Sequence, residues 1–240
     1  MIKVTVWNEY LHELKSDEVK KVYPDGIHEY IKSFLQKNDD ISVRTATLAM
    51  PECGLSKEVL KDTDVLIWWG HTAHDKVPDE IVERVHKAVL CGMGLIVIHS
   101  GHHSKVFRSL MGTTCDLRWR DDDRERVWCC NPSHPIAEGI PSSFELENEE
   151  MYGEHFTIPK PDDVVFIGWF AGGEAFRSGC TFTRDLGRIF YFQPGHESFP
   201  TYHNEYVQKI ITNAVRWAKP IFKKDSTECI HAEEVPENVR

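Results

Sequence analysis

The chain opens on an apolar, β-branched run, Ile2 to Trp7, that predicts a strand. From Gly26 onward, Ile27, Tyr30, Ile31, Phe34 and Leu35 recur at the spacing of one helix face. Ile41 to Thr47 reads as a second strand. Asp64 to Trp69 is a third and Gly94 to Ile98 a fourth, each with an unbroken apolar centre that predicts burial on both faces. Between them Pro78 opens a helix carrying Ile81, Val82, Val85 and Val89 on one side and ending near Gly92. Strand and helix alternating at this spacing predict an α/β fold with a parallel sheet covered on both sides.

The second half changes texture. Arg124–Cys130, Ser143–Glu147, Val164–Phe170 and Cys180–Thr183 read as short strands joined by Gly- and Pro-rich connections, with antiparallel pairs expected among them. Gly187 to Phe192 restores a buried strand. Asn204 is placed to cap a last helix whose stripe is Val207, Ile210, Ile211, Ala214, Val215 and Ala218. After Pro220 charges mix with few apolar residues, which predicts a peripheral or mobile tail over 221–240. With no repeat or linker in 240 residues, the expectation is one domain over 1–220.

Composition narrows the function classes. Thirty-eight acidic against 28 basic residues give a net charge of −10, so nucleic acid is not an expected partner. No apolar run approaches the roughly eighteen residues of a membrane helix, and Met1 to Asn8 carries no basic leader. A soluble, cytoplasmic protein is expected. Seven cysteines without a C-x-x-C pair fit neither a disulfide framework nor a zinc ribbon, and read as reduced, for the most part packing residues. Many exposed-looking aromatics in an acidic single domain are compatible with a homo-oligomer.

Thirteen histidines are the remaining anomaly. In open parallel sheets ligands bind beyond the carboxyl ends of the strands, and that rule sorts them. His71 and His74 follow the third strand; His99, His102 and His103 follow the fourth; His196 follows the late strand, with His203 in the next connection. His71, His99 and His196 come first after their strands and would project from rigid elements. His12, His28, His86 and His231 lie on helical or tail segments and read as ordinary packing or surface residues. Glu149-Glu150-Met151-Tyr152 follows a short strand in a partly apolar setting, where a carboxyl pKa rises toward acid–base use.

Nucleophile schemes fit less well. Ile98-His99-Ser100-Gly101-His102 approaches the G-x-S-x-G elbow but has Ile98 in place of the first glycine. No cysteine occupies that turn; Cys91 and Cys115 are the nearest. A divalent metal held by His71, His99 and His196, zinc in the first place, suits these side chains, because a catalytic zinc takes three protein ligands and leaves a position for water. No H-E-x-x-H spacing fixes it, and Ala171-Gly172-Gly173-Glu174 lacks the continuation of a phosphate loop.

Five segments together resemble the ThuA-like (trehalose-utilization) family: Trp68–His74, Gly94–Ser100, Asn131–Ile136, Glu149–Tyr152 and, most specific, Gly187–Glu197 continuing to His203. The resemblance spans nearly the whole expected domain. It implies a class I glutamine amidotransferase-like fold, a flavodoxin-like three-layer α/β sandwich with a mostly parallel sheet. In that superfamily a nucleophilic cysteine follows the fourth strand and a His-x-Glu pair follows a late strand. Here those places hold His99, with Ser100 next, and His196-Glu197 without the intervening residue, so glutaminase activity is not expected.

The family name implies utilization of trehalose or a related disaccharide or keto-sugar, by a hydrolase, lyase or isomerase. Within that frame His99, Glu150 and His196 are the expected catalytic groups, and Trp69, Tyr152 and Glu197 the expected sugar contacts. The alternatives are a non-catalytic sugar-binding or interaction domain that kept the pocket, and a thiol hydrolase or amidotransferase.

Overall fold

A computed structural model describes residues 1–233. Its strands are β1 (Ile2–Asn8), β2 (Ile41–Thr47), β3 (Val65–Trp69), β4 (Gly94–Ile98), β5 (Arg118–Cys129), β6 (Ser143–Gly153), β7 (Asp163–Phe170), β8 (Ala175–Arg184) and β9 (Gly187–Phe192). Together they form one nine-stranded sheet in the order β2-β1-β3-β4-β9-β8-β7-β5-β6. The first five in that order pair in parallel, and the remaining pairings are antiparallel. The sheet is therefore mostly but not purely parallel.

The helices are α1 (His12–Lys15), α2 (Asp17–Val22), α3 (Ile27–Leu35), α4 (Lys57–Lys61), α5 (Asp79–Leu90), α6 (Lys105–Met111) and α7 (Glu205–Ala218). Successive side chains of a strand point to opposite faces, and the two cores follow that period. Ile67, Trp69, Ile96, Ile98, Phe190 and Phe192 pack under α3 and α7. Leu66, Trp68, Leu95, Val97, Ile189 and Tyr191 pack under α4, α5 and α6. Helices on both faces explain why the runs Val65–Trp69 and Gly94–Ile98 are apolar without alternation. As its position suggested, Asn204 caps α7, its side-chain oxygen accepting from the amides of Tyr206 and Val207.

Several sequence expectations change. The apolar pattern gave no sign of α1, α2, α4 and α6, which are too short to show a period. The strands expected over Arg124–Cys130 and Cys180–Thr183 begin earlier, at Arg118 and Ala175. The strand expected over Ser143–Glu147 continues to Gly153, so Glu149, Glu150 and Tyr152 lie inside β6 rather than after it. The expected tail begins as an anchored strap: Lys224 donates its amide to Cys91 O, and Lys223 Nζ reaches Thr63 O and the Asp64 carboxylate. Residues 225–233 are exposed, and 234–240 lie outside the described residues.

The β5–β6 ribbon carries the consequence for function. Register shifts between Arg120 and Asp123 and between Asp123 and Glu125 mark bulges, which bend and twist a ribbon. The far half of β6 thereby returns over the sheet, where Gln193 Nε2 donates to Glu150 O and the Glu154 amide to Ala175 O. Four antiparallel steps separate β6 from β9, so both point the same way. The carboxyl ends of β1, β3, β4, β9 and β6 meet at one edge.

Candidate functional site

At that edge a cleft of about 510 Å³ is lined by His71, His74, His102, His103, His196, Glu150 and Tyr152, with Trp119 on its rim. A groove of about 570 Å³ elsewhere, beside Tyr23 and Tyr30, contains no histidine. Chemistry rather than size singles out the former.

His99 ends β4 in the left-handed region, at φ 55°, a conformation that costs a non-glycine residue energy and clusters at functional turns. Its ring is fully buried and stacks on Tyr152 at 5.2 Å. Nδ1 donates to Gln193 O at 3.0 Å, which aims Nε2 at Glu150 Oε2, 3.1 Å away. The two atoms are close but out of line for a directed hydrogen bond, and neither has another partner. Burial pulls the imidazole pKa down, but Glu150, with Glu149 and Glu197 behind it, overrides this and holds it at about 9. Burial likewise raises the Glu150 carboxyl, and His99 more than reverses the effect, leaving it lowered. Both shifts favour an imidazolium facing a carboxylate.

Two buried carboxylates fix the loops that carry the other histidines. Glu9, just beyond β1, accepts from the amides of His71, Thr72 and Ala73 at 2.9–3.0 Å and from Thr72 Oγ1. Burial raises its pKa, yet these four donors lower it overall. Glu149 accepts from the amides of Gly195 and His196 and from Thr201 Oγ1. Its pKa is raised because full burial outweighs the His99 charge and the donors. Gly195, at φ 145°, is needed here, since a Cβ would sit 2.2 Å from the Tyr202 hydroxyl.

Within this frame His71 donates Nδ1–H to Glu197 at 2.9 Å and leaves Nε2 free toward the cleft. Glu197 is buried and also meets His12 Nδ1 at 2.6 Å. Burial acts to raise its pKa, but the hydrogen bonds from His12 and His71 hold it far below the usual carboxylate range. The same hydrogen bond raises the pKa of His12. His196 is different: burial, aided by the His99 charge, lowers its pKa to about 4, so it is neutral near neutral pH. Its Nδ1 accepts from the Ser198 amide at 3.2 Å, which leaves the ring proton on Nε2.

The expected residues thus separate. His71, His99 and His196 converge, with ring centroids 5.4–5.8 Å apart. The donor atoms that come within 4.8 Å of one another, however, combine His71 and His196 with Glu150, His99 and His196 with Glu197, or His12 and His71 with Glu197. Tyr152 lines the cleft. Trp69 does not: it is fully buried, and its indole N–H is donated to Gly195 O as a support for the loop. Glu197 sits behind His71 as its orienting partner, away from the cleft surface. His102 donates Nδ1–H to Cys115 O, and burial takes its pKa well below the ordinary value. His203 stacks on Tyr30 away from the cleft. Sequence reasoning missed Glu9, His12 and Trp119. The strand-end rule that selected His71 would have reached Glu9 and His12, which follow β1.

The trehalose-utilisation family ThuA matches residues 3–218. The chain belongs to the ThuA family. No curated protein matches the sequence. Among solved structures, a ThuA-like protein from Parabacteroides merdae superposes with a TM-score of 0.66 at 15% identity, over 93% of this chain and 92% of that one. A cytoplasmic protein of Salmonella typhimurium LT2 gives 0.61 at 13%, over 91% and 100%. A β-galactosidase from Rahnella sp. R3 gives 0.56 at 10%, over 90% of this chain but 31% of that one. At these identities the likeness is one of fold. Among the described residues, no helix is long and apolar enough to cross a membrane.

Proposed function

We propose that this ThuA protein is a cytoplasmic enzyme of carbohydrate utilization that moves protons on a disaccharide or keto-sugar in the histidine–carboxylate cleft. The observation that carries the reading is the buried His99–Glu150 pair, whose facing Nε2 and Oε2 atoms have no directed partner: Glu150 lines the cleft with His71 and His196, and His99 stands buried behind it. A buried polar atom without a partner is costly, and a substrate hydroxyl donating to the Glu150 carboxylate would relieve it. His99 keeps Glu150 ionised. Glu150, ionised, is the base that takes a proton from a sugar hydroxyl or from a carbon beside a carbonyl, and His196, neutral with its ring proton on Nε2, donates a hydrogen bond to a sugar oxygen. Environments that push titratable neighbours apart are the arrangement acid–base chemistry needs.

A metal-assisted version rests on a separate observation, the donor atoms of His71, Glu150 and His196 within 4.8 Å of one another. The Glu197–His71 contact resembles the carboxylate that orients a metal-bound imidazole. Against it, ligation through His196 Nε2 would require moving the ring proton to Nδ1 and losing the Ser198 contact. A bound divalent ion would polarise a sugar oxygen and lower the pKa of bound water.

Incubating the protein with a panel of disaccharides and their keto forms tests the reading: one should be consumed, and Glu150→Gln should stop it or nearly so. If one sugar raises the melting temperature but none is consumed, the protein is a sugar-binding module. Protein purified without added metal and then titrated with zinc addresses the second version. No metal content and no thermal shift would eliminate it.

A further inference from the structure

Trp119 is the large hydrophobic residue of the cleft that nothing covers: 63% of it is exposed, on the rim of the cleft. It lies on β5 directly opposite Tyr152 of β6, the ring that stacks on His99. Residues directly opposite on paired strands share a face of the ribbon. Trp119 and Asp121 of β5, with Leu117 just before it, alternate onto the cleft side, as Glu150 and Tyr152 do on β6. The intervening Arg120 turns away and holds the ribbon, its guanidinium bound to Glu174 and Asp123.

The cleft therefore has two halves. The inner half presents His71, His196, Glu150 and Tyr152. The outer half presents an exposed indole and Leu117, with Asp121 and the hydrogen-bonded His103–Asp116 pair beside them. An indole face beside carboxylates matches a pyranose, which has an apolar C–H face and a hydroxyl edge.

We propose that Trp119 is the stacking platform for a second sugar ring, so that the cleft selects a two-ring glycoside over a single sugar. This rests on the carbohydrate reading above. One ring occupies the inner half against Glu150 and His196, and its neighbour lies on the Trp119 indole with hydroxyls toward Asp121 or Asp116. Trp119 is a specificity residue and takes no part in proton transfer.

Calorimetric titration of the wild-type protein, Trp119→Ala and Trp119→Phe with trehalose, maltose and glucose tests it. Wild type should bind one disaccharide roughly tenfold more tightly than glucose, the scale of one aromatic stacking contact. Trp119→Ala should remove that advantage and leave glucose unchanged, and Trp119→Phe should restore most of it. All three proteins should melt alike, because the side chain is exposed. Wild-type disaccharide affinity in Trp119→Ala overturns the subsite and leaves the carbohydrate reading standing. Absence of binding to every sugar by the wild type overturns both. Dissociation of an oligomer by Trp119→Ala with sugar binding intact reassigns the indole to a subunit contact and overturns the proposal.

Discussion

The strands β2, β1, β3, β4 and β9 are parallel and packed by helices on both faces, whereas β7, β5 and β6 are antiparallel and turn Trp128 and Trp169 toward solvent. The two regions contribute different chemistry to one cleft. Parallel strand ends supply the imidazoles of His71, His99 and His196. The bent antiparallel ribbon supplies Glu149, Glu150, Tyr152 and Trp119. A rigid, doubly covered sheet fixes where the imidazoles stand, and a ribbon with bulges brings the carboxylates to them.

The largest expected effect lies where the two regions meet. Glu150→Gln should lower turnover by ~10²–10⁴-fold. The His99 pKa, followed by NMR of its ring protons, should fall from about 9 toward its ordinary value. Wild-type turnover in this variant would show that the ribbon contributes only architecture. Next comes packing. Ile96→Ala, in the centre of β4, should cost ~2–5 kcal/mol in denaturant unfolding, and Leu146→Ala in edge strand β6 less. Equal costs would erase the energetic difference between the regions.

Titration sharpens the comparison. The His99 pKa is raised in the folded state, so the stability it adds is fully present below about pH 6.5 and lost as pH rises through about 9. Glu125, fully buried in β5, has its carboxyl pushed well above the ordinary 4.5 by burial, reinforced by Glu149. The shift favours the protonated form in the fold over the unfolded chain, so stability falls as pH rises above about 4.5. Glu125→Gln keeps the shape and the acceptor for Ser178 Oγ and removes that slope. It should melt higher than wild type at neutral pH and equally near pH 4; identical melting profiles would place the Glu125 titration in its ordinary range. The smallest effect is expected at the solvent face. Trp128→Ser combined with Trp169→Ser should change stability by no more than ~0.5 kcal/mol. A shift in sedimentation would identify this face as the surface for self-association.

The parallel region was legible because burial on both faces leaves a mark in the sequence: uninterrupted runs such as Leu95 to Ile98, with helices of clear period between them. The histidine positions followed once the strand ends were placed. The antiparallel region was not legible to the same degree. Glu147, Asn148, Glu149 and Glu150 read as the polar end of a strand, yet β6 runs through them. Burial of Glu149 depends on donors from Gly195, His196 and Thr201, some 46–52 residues away, which no local pattern reveals. Trp69 showed the converse: as an aromatic residue in a carbohydrate-type protein it was an expected sugar contact, and the alternation of β3 turned it into the core.

By itself the sequence determined the parallel strands, the helices with a full apolar face, and the edge of the sheet where imidazoles collect, because these depend on periodicity and strand direction. Tertiary structure decided which histidines are charged, which carboxylates hold loops and which aromatic ring stays open to solvent. Those properties arise from burial and from partners distant in the chain. A ribbon bent by two bulges made one cleft of residues that lie apart in the sequence.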